Sequence, residues 1–201
     1  MSVHAIPGSL LSRSLDRFDA QAPLRAAAVG LAVTLTAAAA QFTMPLPFTA
    51  VPFTLTPLVV MLTGAALGSR LGFLTQALYL LLGAAGIAVF TPSVTLPPGA
   101  ARLMGPTGGY LLAYPVAAFV TGWLGEHGWD RRYITSVFSM LAGLSIIFAG
   151  GVTWLSLSVT HSIPAALATG FAPFVAADVL KAAVAALVLP AAWTFIGRSP
   201  R

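Results

Sequence analysis

The sequence predicts an all-α, polytopic membrane protein, a bundle of six transmembrane helices. Three observations predict it. First, 58% of the 201 residues are apolar and only 7% are charged, whereas roughly a quarter of an average soluble domain is charged. Ten basic and five acidic side chains cannot coat a soluble globule of this size, and a disordered chain needs the opposite composition. Second, the charges are separated by long charge-free stretches, at 26–69, 71–101, 103–125, 133–177 and 182–197. Third, the arginines fall almost wholly on one side of the resulting topology.

Glycine, proline and polar interruptions divide the charge-free stretches into spans at 25–42, 54–69, 71–90, 107–125, 133–154 and 171–196. A spanning helix needs about 20 mostly apolar residues to cross about 30 Å of hydrocarbon. The first span follows a polar lead, residues 1–24, made partly amphipathic by Leu10, Leu11, Leu15 and Phe18. It ends before Met44-Pro45-Leu46-Pro47 and Val51-Pro52, because each proline lacks an N–H and restricts its predecessor. Gly68-Ser69-Arg70 joins spans two and three tightly. Thr91-Pro92 and Leu96-Pro97-Pro98-Gly99 end the third. The stretch 125–132 is the one strongly polar internal loop, and residues 155–170 read as a short interfacial helix. No sustained apolar/polar alternation suggests membrane strands. Residues 25–197 therefore form one membrane domain, without an evident internal repeat.

Six spans put Arg13, Arg17, Arg25, Arg70, Arg131, Arg132, Arg198 and Arg201 on one side and Arg102 alone on the other. The positive-inside rule makes the arginine-rich side cytoplasmic, with both termini there. A rival reading takes Ala38-Ala39-Ala40 as a signal-cleavage site. It leaves the other five spans in the same orientation.

Asp178 and Lys181 stand out as the acid and the lysine inside a span, three residues apart on one helical face. Charges at membrane depth are expensive unless paired or hydrated, so they mark a cavity or a partner. Their bland reading is a self-neutralising pair. Arg102 precedes Gly105-Pro106-Thr107-Gly108-Gly109-Tyr110, a turn suited to an anion at a helix N-terminus or simply to a loop. Gln76 and Tyr79 share a face of span three and need polar partners, from the protein or from a ligand. Phe53, Thr54 and Thr56 stand at the outer mouth, where an aromatic ring covers a ligand or belongs to the interface belt. Ala28, Ala32 and Thr36 recur every fourth residue in span one, beside Ala26, Gly30, Thr34 and Ala38. Such faces permit close helix contact, within the fold or with another protein.

Enzymatic readings find no support. There is no cysteine, no His-Glu-x-x-His, no phosphate-binding loop and no Gly-x-Ser-x-Gly, so no catalytic residue, metal site or cofactor is expected. The scattered basic residues form no stripe for nucleic acid.

Val51-Pro52-Phe53-Thr54, the run Leu78 to Gly86, Gly105 to Tyr110, and Pro173-Phe174 with Asp178-x-x-Lys181 occur in this order. Together they resemble the signature segments of BioY, the biotin-specific substrate-binding (S) component of energy-coupling-factor transporters. Ala88-Val89-Phe90 stands where that family has Pro-Val-Phe. The resemblance covers residues 25 to 196. It implies a six-helix S-component in the cell membrane that binds biotin near the outer face. An energising module of two ATPases and a coupling protein completes such transporters, and the small-residue face of span one matches the surface presented to that coupling protein. The implied ligand residues are Asp178, Lys181, Tyr79, Gln76, Arg102 and Tyr110. Asp178 would accept a ligand N–H or hold Lys181, Lys181 would donate to a ligand oxygen, and Arg102 would attract the carboxylate. The competing functions are carriage of another small vitamin, proton-coupled transport through Asp178, and a purely structural subunit.

Overall fold

A computed structural model describes residues 8–11, 21–93 and 95–197 of the chain. Helix α1 runs Gln21–Gln41 and leads into a two-stranded antiparallel ribbon, β1 (Thr43–Met44) with β2 (Phe53–Thr54), pairing Thr43 with Thr54 and Met44 with Phe53. The prolines between the strands prevent helix and force this excursion. Helices α2 (Thr56–Leu67) and α3 (Ser69–Ala84) follow, then the short α4 (Ala101–Met104), α5 (Gly108–Glu126), a 3₁₀ turn at Trp129–Arg131, α6 (Tyr133–Ser158), α7 (Ile163–Gly170) and α8 (Ala172–Gly197). The ribbon is a local exception to an otherwise helical fold.

Ala22–Gln41, Tyr133–Ser158 and Ala172–Thr194 are long and apolar enough to cross a membrane. Helix α2 has 12 residues, about 18 Å at 1.5 Å per residue. The third expected span is shorter than its apolar run. Helix α3 stops at Ala84 because Gly86 takes a left-handed φ of 97° while Ile87 N–H returns to the Leu82 carbonyl. The residues beyond, Ala88 to Phe90, stay apolar but are no longer helical. In the other direction, α6 extends past the expected end at 154 to Ser158.

Helix α5 is the hub, packing on α6, α2 and α3. Close approach explains Gly64: a β-carbon there would meet the Ala118 backbone and the Thr121 hydroxyl of α5. Pro115 lies inside α5 without ending it, as buried membrane helices tolerate. The α2–α3 turn is tied to the far end of α5. The Glu126 carboxylate accepts hydrogen bonds from Ser69 N–H (2.8 Å) and Ser69 Oγ (3.0 Å), satisfying a donor at the start of α3 that a local cap would otherwise serve. Leu10 joins the core and Ser9 is buried at the same end. Leu15, Phe18 and the arginines at 13, 17, 198 and 201 lie outside the described residues.

The distribution of polarity inverts that of a soluble protein. Leu31, Leu35, Leu74, Leu81, Ile134, Leu157 and Leu180 are exposed, while Thr36, Thr63, Thr75, Gln76 and Thr121 are buried. An apolar exterior around a partly polar interior suits hydrocarbon rather than water.

Candidate ligand-binding site

The prolines and short strands of 43–57 cover one end of the bundle, where the helix bodies leave a cavity of about 580 Å³. Its walls come from this segment, residues 90–93, 95 and 96, Arg102, the first turns of α5, Ile147 and Phe148 of α6, and Phe174 and Asp178 of α8. Most of that lining is apolar, with a few converging polar groups, the usual constitution of a small-molecule site.

Asp178 lies on the wall and is 7% exposed. Its Oδ1 accepts a hydrogen bond from Lys181 Nζ at 2.7 Å. The same ammonium donates to the Thr54 carbonyl at 2.8 Å and sits 3.3 Å from the centre of the Phe53 ring, a cation–π geometry. Phe53 stacks on Phe174 at 6.5 Å between centroids. Lys181 is therefore a strut between α8 and strand β2, set behind the cavity wall, while Asp178 presents the carboxylate.

Tyr110 lies on the wall, its hydroxyl donating to the Gly170 carbonyl at 2.7 Å. Tyr114, one turn further along α5, joins it in the lining. Arg102 is also in the lining, its Nε donating to the Pro97 carbonyl at 3.2 Å. Partial burial lowers its pKa from the ordinary guanidinium value, but arginine keeps its charge in proteins.

Besides Lys181, two more of the expected ligand residues stand behind the lining. Gln76 Nε2 donates to the hydroxyls of Thr36 and Thr63, each at 3.3 Å, joining α3 to α1 and α2. Tyr79 is fully buried; its hydroxyl donates to the Val89 carbonyl at 3.2 Å and its ring meets Phe90 edge-on at 5.3 Å. The small-residue face of α1 needs a correction. Ala32 (4% exposed) and Thr36 (0%) turn inward and Ala28 is half-buried, because Thr36 is the partner of Gln76. The outward face carries Ala26, Gly30, Thr34 and Ala38, and a β-carbon at Gly30 would meet nothing within 4 Å.

Sequence reasoning missed Tyr114, Phe90 and Phe148 as wall residues. The spacing of Tyr110 and Tyr114 on one helical face was the available signal. It also missed a polar lock at the opposite end, where Asp130 Oδ2 accepts the Trp193 indole N–H at 2.7 Å. Burial raises the Asp130 pKa, and the bonds to Trp193 and its own backbone, with the Arg131 charge, hold it back.

Among solved structures the fold is similar to one described as the S-component for biotin from an ECF-type ABC transporter, with a TM-score of 0.77 over 88% of this chain and 94% of that one. At 20% identity this likeness carries the architecture alone. The chain is also 43% identical over 143 residues to the biotin transporter BioY of Thermotoga maritima, covering 71% of this chain and 81% of the relative. It is 40% identical over 160 residues to a probable biotin transporter BioY of Pyrococcus horikoshii, covering 80% and 90%. Residues 14–198 match the BioY family as a whole, and the chain belongs to that family.

Proposed function

We propose that this chain is the biotin-binding membrane subunit, or S-component, of a vitamin uptake transporter. Family membership supplies the class, a transport protein rather than an enzyme. The observation that carries the reading is the Asp178 carboxylate, held by Lys181 on the wall of a mostly apolar cavity of about 580 Å³. Biotin offers an apolar bicycle and tail, a ureido group and a carboxylate. In this reading Asp178 accepts a ureido N–H and Arg102 attracts the carboxylate. Lys181 fixes Asp178, and Tyr110 and Tyr114 supply aromatic wall. Tyr79 and Gln76 support the site from behind.

The helices are read as six spans, α1, α2, α3, α5, α6 and α8, forming a single membrane domain over 25–197 with both termini cytoplasmic. The arginine asymmetry supports this orientation, and it places the cavity, with Arg102, at the outer face. A coupling protein and two ATPase subunits would energise transport, docking on the outward face of α1 around Gly30 and Thr34.

Radiolabelled biotin binding to the purified protein in detergent tests the reading. Saturable binding of one biotin per chain, competed by unlabelled biotin but not by thiamine or riboflavin, is the expected result. No saturable binding by folded protein would overturn it. Uptake that collapses with a protonophore while ATP is maintained would favour proton coupling instead.

A further inference from the structure

Two aromatic rings of the cavity wall are seated on glycines that never reach the cavity. Phe90 lines it, and behind the ring lies Gly83 of α3. A β-carbon added at Gly83 would fall inside the van der Waals envelope of three Phe90 ring atoms. Tyr110 repeats the arrangement: a β-carbon at Gly151 of α6 would overlap its ring. Neither glycine is demanded by the backbone, since neither is among the positive-φ glycines of the described residues. Both lie in helices, where alanine is the better helix former. What they provide is space for a ring.

Phe90 is confined on its other sides. Tyr79, one turn before Gly83 on α3, meets the ring edge-on, and its hydroxyl holds the Val89 carbonyl. Gln41 Nε2 donates to the Phe90 carbonyl at 3.4 Å. Phe90 lines the cavity, so a ring pushed off Gly83, with its backbone and Tyr79 flank held, is displaced toward that open volume. Interiors at native packing density transmit such a displacement rather than absorb it.

We infer that Gly83 and Gly151 are specificity-determining residues: by seating Phe90 and Tyr110 outside the ligand volume, they set the size of molecule that the cavity accepts. The inference rests on the biotin reading above. Its test begins by measuring biotin affinity in the parent protein, so that a parent that does not bind counts against that reading alone. Gly83→Ala is then made in the parent and in a Phe90→Leu background, with folding followed by size exclusion and thermal unfolding. The expected result is a loss of about tenfold in affinity in the parent and less than about threefold in the Phe90→Leu background, because the shorter side chain leaves the added methyl room. Equal losses in the two backgrounds, including equal failure to fold, would overturn the inference and make Gly83 a helix-packing residue. Unchanged affinity in Gly83→Ala would also overturn it. Should Phe90→Leu alone empty the site, a crystal structure of Gly83→Ala decides: a ring displaced into the cavity supports the inference, and an unmoved ring ends it.

Discussion

Two buried aspartates, at opposite ends of the bundle, have been put to different uses. Asp130, 1% exposed, is closed in by protein. It holds the Trp193 indole, and the Arg131 guanidinium lies 4.9 Å from the centre of the same indole. This binds the 3₁₀ turn to the last helix. Asp178 has its cation one turn away on its own helix and faces open volume. The comparison teaches how differently two buried carboxylates of one bundle can be held. Asp130 accepts its side-chain hydrogen bond from a second element, the Trp193 indole of the last helix. At the cavity the neighbouring lysine makes the tertiary links, leaving the Asp178 carboxylate on the wall, as the binding role proposed for it requires.

Lys181→Ala should break the comparison most sharply. It removes the ammonium from Asp178, the Thr54 carbonyl and the Phe53 face together. Truncating one partner of a buried pair typically costs about 3–5 kcal/mol, more than a hundredfold in affinity if it falls on the complex. Biotin titration should show that loss in protein that still elutes as a monodisperse peak. The double variant Asp178→Asn with Lys181→Met removes the unpaired charge but also the links to Thr54 and Phe53, so it should lose some Tm, less than Lys181→Ala does, and fail to bind; near-parental affinity there would make this pair structural too.

Gly30→Trp touches neither aspartate. Bulk on the open face of α1 should reduce biotin uptake in cells by about tenfold or more, with binding by the purified protein unchanged, because it separates helices outside the fold. Full uptake would remove that face from consideration. The same change at Ala32 should lower Tm instead, since Ala32 is buried.

Trp193→Phe isolates the other end. It leaves Asp130 without the indole donor, a loss of about 1.5–3 kcal/mol for a hydrogen bond to a charged group. Thermal unfolding should register it while the biotin Kd stays at the parental value. A changed Kd would mean that the two ends are coupled.

The smallest effect is a pH slope. Burial raises the Asp130 pKa in the folded protein, so the folded state binds the proton more tightly than the unfolded chain. Stability from this group is fully present below the ordinary carboxylate pKa and is lost as pH rises through the raised value. Asp130→Asn keeps an acceptor for Trp193 without the charge. Its Tm should fall less than the parent's between about pH 4 and pH 7; an identical slope in both proteins would assign the dependence elsewhere.

Much of this architecture was legible because charge is scarce. Arg70, Arg102 and the 126–132 loop mark where chain leaves the apolar runs, and each lies at or beside a helix boundary. The end of α3 was not legible, because Gly86 stops the helix through a backbone conformation while apolar residues continue past it. The inward face of α1 was hidden by composition: alanines occur on all its sides, and only the Thr36–Gln76 bond shows which side is inside. Asp178 and Lys181 were visible as a pair by helical spacing. Their division of labour was not, since Lys181 finds Thr54 across 127 positions of sequence, and Phe53 beside it.

The brevity of α2 has a consequence for the path of a transported molecule. Pro57, in the first turn of α2, lines the cavity, and Gly68 beyond its last turn meets Glu126 at the other end. Helix α2, from Pro57 on the cavity wall to the Gly68 end, is about 18 Å long, little more than half a hydrocarbon core. In the six-span reading proposed above, a molecule held against Pro57 would have that length of protein, rather than a full hydrocarbon thickness, between it and the opposite side.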